Sequence, residues 1–102
     1  MDKLKPSQLL RLGATQVHHV TNDYFVKCDD DDITIIGACA LGMMSIAKHG
    51  QTKYCPELSI ALSEVKEELK KYNINPQFVV NLNDDVGCSP EEIAQWLEHH
   101  GA

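Results

Sequence analysis

The chain has 102 residues, of which 43% are apolar and 24% are charged. This length is typical of one folded domain, and the composition is typical of a globular rather than a disordered protein. The charged residues comprise 15 acidic and 9 basic side chains, which leaves a formal net charge of −6. Nucleic-acid affinity depends on Lys and Arg that neutralise phosphates, so this balance argues against a nucleic-acid partner. An acidic surface favours basic partners or metal cations, although it more commonly serves only solubility.

Location and redox state can also be predicted from the sequence. The longest apolar run, residues 33–47, is too short to cross a bilayer, and the N-terminal residues lack the charged and apolar regions of a signal peptide. The four cysteines form no C-x-x-C motif; they are Cys28, Cys39, Cys55 and Cys88. We therefore expect a cytoplasmic protein that has no membrane partner and keeps its thiols reduced.

The first third of the chain predicts one helix followed by a short hairpin. Pro6 suits the first turn of a helix that directs Leu9, Leu10 and Leu12 inward. The segments "DYFVK" and "ITIIG" are rich in β-formers and are joined by "CDDDD". This pattern allows a two-stranded hairpin near residues 23–36, with its four adjacent aspartates at an exposed tip.

The apolar run predicts a central helix over residues 37–49, which Gly50 can end in a left-handed cap. The small residues Ala38, Gly42 and Ser45 give this helix one flat face that another backbone can approach. We favour an internal neighbour on this face. The alternative is a homo-oligomer that forms through it.

Two further helices are predicted from periodicity and capping. Apolar residues recur at helical spacing over 58–72, after Pro56. In "SPEE", Ser89 can cap the N–H of Glu92 in a helix over residues 90–100. Between these two helices, residues 76–82 fit either a short helix or a strand. The whole pattern predicts a mainly α, single-domain fold of four to five helices.

The segment before the last helix partly fits a calcium loop. The order Asn81, Asn83, Asp85, Ser89 and Glu92 follows the ligand positions of an EF-hand. However, Val86 occupies the position where the turn requires glycine. The other metal hypothesis is a zinc site. Its ligands would be the histidine pairs at 18–19 and 99–100, together with Cys28 or Cys55. We assign no metal ligand and no cofactor.

Catalysis would require a nucleophile beside a base. Cys39 is one candidate nucleophile, and five histidines are candidate bases: His18, His19, His49, His99 and His100. The spacing brings no such pair together, and Cys39 lies in an apolar run that is typical of a buried core. We therefore predict no catalytic residues and no enzyme activity.

Three segments resemble a family of small bacterial and phage proteins of unknown function: "LLRLGA" (9–14), "ACALGM" (38–43) and "LNDDVGCSPEEIAQWLE" (82–98). That family carries a C-A-L-G-A motif and an N-D pair before an I-A-x-W-L helix, and Met43 departs from the motif's final alanine. The resemblance implies a small, mainly helical domain and singles out Asn83 and Asp84. We expect this pair to form a turn in which one carboxylate accepts backbone N–H groups near the start of the central helix.

The leading functional hypothesis is a small non-catalytic interaction or regulatory domain that acts through an unidentified protein partner. It rests on the exclusion of other classes and on the apolar central helix. The alternative is a metal-binding protein.

Overall fold

The computed structural model describes residues 4–31 and 33–102. Within these ranges the chain forms five α-helices and a small three-stranded sheet. Their order is α1 (Pro6–Ala14), β1 (His18–His19), β2 (Phe25–Lys27), β3 (Ile35–Ala38), α2 (Ala40–His49), α3 (Pro56–Lys71), α4 (Pro76–Asn81), a π-helical turn (Leu82–Val86) and α5 (Pro90–His99). The predicted mainly α fold is confirmed.

Local signals determine where α3, α4 and α5 begin. Each helix starts at a proline, which has no N–H that would need a partner in the first turn. Ser89 Oγ accepts the N–H of Glu92 at 3.2 Å, and Glu92 Oε1 accepts the N–H of Ser89 at 2.9 Å. Asn75 caps α4 by accepting the N–H of Gln77. The prolines at all three starts and the caps of α4 and α5 explain why the predicted starts differ from the observed ones by at most two residues. The Asn75 cap also explains why 76–81 is a helix rather than a strand.

The sheet corrects the predicted start of the central helix. β3 lies in the middle of the sheet, antiparallel to β2 and parallel to β1. Gly37 and Ala38 pair with β1 and β2, so α2 begins at Ala40 and not at residue 37. The predicted hairpin corresponds to β2 and β3, whereas β1 was not predicted. At the tip of this hairpin, between β2 and β3, residues 29–31 are exposed, and Asp32 lies outside the described residues.

The core is built around α2, which packs against α1, α3 and α4. Ala38 and Ser45 are fully buried, and a Cβ at Gly42 would overlap the carbonyl oxygen of Tyr24. The small-residue face proposed for a homo-oligomer is therefore occupied by the chain itself. Leu12, predicted to point inward, is 41% exposed. None of the helices in the described ranges combines the length and apolar character that crossing a bilayer requires.

Candidate functional site

A cleft forms where three segments meet: the β1–β2 loop, the start of α2 and the π-helical turn. Its volume is about 170 Å³, and it is lined by Asn22, Asp23, Tyr24, Cys39, Val80 and Asp84. A π-helical turn is wider than an α-helical one and is frequent at functional sites. Two of the three segments singled out in the sequence, 38–43 and 82–98, contribute lining residues to this cleft.

Asn83 holds the three segments together beneath the cleft. Its side chain is completely buried, with 0% exposure. Oδ1 accepts the N–H of Ala40 at 3.0 Å and lies 2.7 Å from His19 Nε2. Nδ2 donates to the carbonyl oxygen of Val20 at 3.1 Å and to Asp84 Oδ1 at 2.7 Å. One amide thus ties the turn to β1, to the loop after β1 and to α2.

The main-chain partners of Asn83 fix its orientation. The N–H of Ala40 can only donate and the carbonyl of Val20 can only accept, so the amide oxygen must face Ala40. Because this oxygen can only accept, Nε2 of His19 carries the proton in their contact. His19 is therefore positioned as a donor to Asn83 through Nε2.

Asp84 lies at the edge of the cleft. Its Oδ1 accepts the N–H of Asn22 at 2.9 Å in addition to Nδ2 of Asn83. Asn22 has a positive φ of 67°, a conformation that asparagine tolerates better than most residues. No hydrogen bond to Asp84 Oδ2 is present in the part of the chain that the structure describes. One carboxylate oxygen therefore fixes the loop, and the second remains available as an acceptor.

The structure corrects the predicted role of this residue pair. The N–H at the start of α2 is accepted by the amide of Asn83, and the carboxylate of Asp84 accepts a loop N–H instead. The pair does lie at the start of the central helix. What the sequence could not reveal was the wide π-helical turn, which determines the side to which each neighbouring side chain points.

Cys39 forms part of the cleft wall but lacks the surroundings of a nucleophile. It is 4% exposed and lies at the N-cap of α2. Burial raises the pKa of its thiol, and the negative charge of Asp84 adds to this, while the N–H groups of Gly42 and Leu41 oppose it. A raised pKa keeps the thiol protonated and neutral at pH 7. No histidine in the described ranges is hydrogen-bonded to it.

Tyr24 and Val80 complete the cleft with apolar surface. Tyr24 is 40% exposed, and Lys66 Nζ lies 5.1 Å from the centroid of its ring. Such a contact between an ammonium group and a ring face is attractive. The cleft therefore combines a free carboxylate oxygen, an aromatic ring already contacted by one cation and a neutral thiol.

Several of the residues considered as metal ligands accept hydrogen bonds within the chain. Asn83 Oδ1 and Glu92 Oε1 accept main-chain N–H groups, and Asn81 Oδ1 accepts Nε2 of Gln77. His100 Nδ1 lies 2.9 Å from the carbonyl oxygen of Trp96. Across 4–31 and 33–102, no group of three or more His, Cys, Asp or Glu residues could hold a metal ion.

The structure also contains a Cys–His contact that the sequence did not predict. Cys55 Sγ lies 3.2 Å from His49 Nε2. His49 is a candidate base in the sequence and Cys55 a candidate zinc ligand, but the sequence does not pair them. Their separation of six positions spans the end of α2 and the start of α3, so only the geometry of this connection brings them together.

No protein-family model matches the chain, and neither a curated protein nor a solved structure matches it. The family resemblance described above stays a prediction.

Proposed function

We propose that this chain is a small, non-catalytic interaction domain whose cleft binds a lysine or arginine side chain of a protein partner. The observation that carries the proposal is the free Oδ2 of Asp84 beside the exposed ring of Tyr24. A carboxylate pairs with an ammonium or guanidinium group, and an aromatic face attracts the same cations. One cation already lies near this ring, since Lys66 Nζ is 5.1 Å from its centroid, so a partner's cation must replace it or take another part of the ring.

The size of the cleft supports a side chain rather than a free metabolite. Pockets for small molecules usually enclose about 300–1,000 Å³. This cleft, at about 170 Å³, is smaller than that range. A single long side chain that enters from a partner's surface suits such a volume.

The surrounding charge also supports a basic partner. The net charge of −6 attracts cations over distances of about one Debye length, roughly 8–10 Å in physiological salt. The buried hydrogen bonds of Asn83 hold the floor of the cleft in place before binding. A preorganised site loses less conformational freedom when it binds a partner.

A cytoplasmic location is part of the same proposal. All four cysteines are free thiols, which is typical of proteins in reducing compartments.

The test uses two probes and an uncharged comparator. Nα-acetyl-lysine amide and Nα-acetyl-arginine amide are titrated into ¹⁵N-labelled protein, with Nα-acetyl-norleucine amide as the comparator. We expect the basic probes to shift the amide resonances of Asn22, Tyr24 and Asp84 with a dissociation constant of about 1 mM, and norleucine amide to leave them in place. Equal shifts from norleucine amide would contradict the proposal.

A charge-removing variant sharpens this test. Asp84→Asn keeps an oxygen that can accept the N–H of Asn22 and Nδ2 of Asn83, but it removes the negative charge. We expect it to weaken binding of the basic probes at least about fivefold, because a charge-assisted hydrogen bond becomes a neutral one. Asp85→Asn removes the same charge from the exposed neighbouring residue, which does not line the cleft, and should change the affinity less than about twofold.

A further inference from the structure

A second cluster of reactive side chains lies at the connection between α2 and α3, among residues that do not line the cleft. His49 is the last residue of α2, and Cys55 is the N-cap of α3. The connecting segment is held against the sheet by two main-chain hydrogen bonds, from Ile35 N–H to Thr52 O at 2.7 Å and from Tyr54 N–H to Ile33 O at 2.8 Å. This anchoring turns the chain back and brings Cys55 Sγ to 3.2 Å from His49 Nε2.

The pair combines a nucleophile with a base at hydrogen-bonding distance. Both side chains are partly exposed, so a small reagent can reach the sulfur. The imidazole can take the thiol proton, and the thiolate is the reactive form of cysteine. The positive end of the α3 macrodipole also lies beside Cys55, where it favours a negatively charged sulfur.

Glu57 is the third ionisable group at this cluster. Its own backbone N–H, then the Cys55 thiol and the charge of His49, lower the pKa of the Glu57 carboxyl. This carboxylate therefore stays ionised beside the pair, where it attracts a protonated His49 and opposes the negative charge of a Cys55 thiolate.

The other three cysteines lack this arrangement. Cys39 is buried, and its thiol stays protonated for the reasons given above. Cys28 and Cys88 are partly exposed like Cys55, but within 4–31 and 33–102 no histidine is hydrogen-bonded to either. They therefore serve as internal references with similar access to solvent.

We propose that Cys55 is a modification site that reacts with small-molecule disulfides, with His49 as its base. The Cys55 thiol transfers its proton to His49 Nε2, and the resulting thiolate attacks one sulfur of the disulfide R–S–S–R. A new bond forms between Cys55 Sγ and that sulfur, while the original S–S bond breaks and its electron pair leaves with RS⁻. The products are a mixed disulfide on Cys55, one RS⁻ and a proton held by His49, so atoms and charge balance. This proposal is independent of the cleft.

The experiment uses the intact chain and 4,4′-dithiodipyridine, an uncharged disulfide that the acidic surface does not repel. The rate of modification at each cysteine is followed by quenching and peptide mass spectrometry. We expect Cys55 to react about tenfold faster than Cys28 and Cys88, because His49 lies within hydrogen-bonding distance of its sulfur and can accept the thiol proton during the attack. Equal rates at these three sites would overturn the proposal.

Two variants separate the role of His49 from general access. In His49→Gln, the rate at Cys55 should fall about tenfold while the rates at Cys28 and Cys88 change less than about twofold. An unchanged rate at Cys55, or an equal fall at all three sites, would refute the role of His49 as base. Cys55→Ser should abolish the fast phase of thiopyridone release from the whole protein, and this readout stands even if His49→Gln loosens the fold. If the fast phase persists in Cys55→Ser, another cysteine is the reactive one.

Discussion

The buried side chain of Asn83 makes hydrogen-bond contacts with four groups. These groups belong to residues between 1 and 64 positions away in the sequence. An amide suits this place because it donates and accepts at the same time. The sequence could suggest that Asn83 and Asp84 lie in a turn, since short polar side chains favour turns. It could not reveal which N–H each oxygen accepts, because those partners come from distant segments.

We expect Asn83→Ala to lower the free energy of unfolding by about 3 kcal/mol, because the N–H of Ala40 and the carbonyl of Val20 lose their buried partner. The matched control is Asn81→Ala, which removes only a contact with the Gln77 side chain and should cost less than about 0.5 kcal/mol. Urea unfolding followed by tryptophan fluorescence measures both. Equal midpoints for the two variants would show that the buried network does not stabilise the fold.

The helices differ from the sheet in how far sequence reasoning could locate them. α5 carries its own capping box, α3 begins at a proline, and both helices have apolar stripes, so their starts were predicted to within two residues. β1 is only two residues long and is defined by pairing with β3, some 19 positions further along the chain. No local pattern identifies such a strand. Because Gly37 and Ala38 pair with β1, they belong to the sheet and not to the central helix that the sequence predicted.

Close packing of α1 on α2 depends on a glycine. A Cβ at Gly13 would overlap the main-chain carbonyl of Met43. Alanine is the better helix former by about 1 kcal/mol, yet we expect Gly13→Ala to destabilise the protein by about 3 kcal/mol, because the two helices must move apart.

The matched control for Gly13→Ala is Gly50→Ala. Gly50 has a φ of 86°, and no atom lies within 4 Å of where its Cβ would be. This variant should therefore cost only the roughly 1–2 kcal/mol of left-handed backbone strain. Urea unfolding of both variants provides the comparison, and a Gly13→Ala protein as stable as the parent would contradict the close packing of α1 on α2.

At the scale of the whole molecule, hydrogen bonds hold several carboxylates in place and lower their pKa values. Arg11 on α1 contacts Glu91 and Glu98 on α5 at 2.8 and 2.7 Å, and this lowers the pKa of both carboxyls. At the hairpin tip, the N–H of Ile33, then the hydroxyl and N–H of Thr34, lower the pKa of Asp31 to about 2 from 3.8. A carboxyl with a lowered pKa stabilises the fold above its unfolded pKa and loses this contribution as the pH falls through its folded pKa.

Asp31→Asn isolates one part of this acid sensitivity. The variant should melt at a lower temperature than the parent at pH 7, and the gap should close between about pH 4 and pH 2, where Asp31 becomes protonated in the parent. Thermal melts of both proteins across this range measure the gap. A gap that stays constant down to pH 2 would show that the ionised carboxylate does not stabilise the hairpin tip.

Two main-chain amides, those of Asn22 and Ala40, donate to side chains of the π-helical turn rather than to carbonyl groups. Their protons can exchange with deuterated solvent only when the turn separates from the rest of the chain. The protection of these two amides therefore gives the free energy needed to lift the turn, whereas most other amides of α2 exchange only when the helix itself opens. A ligand that occupies the cleft should slow exchange at these two positions first, which makes them local reporters of occupancy.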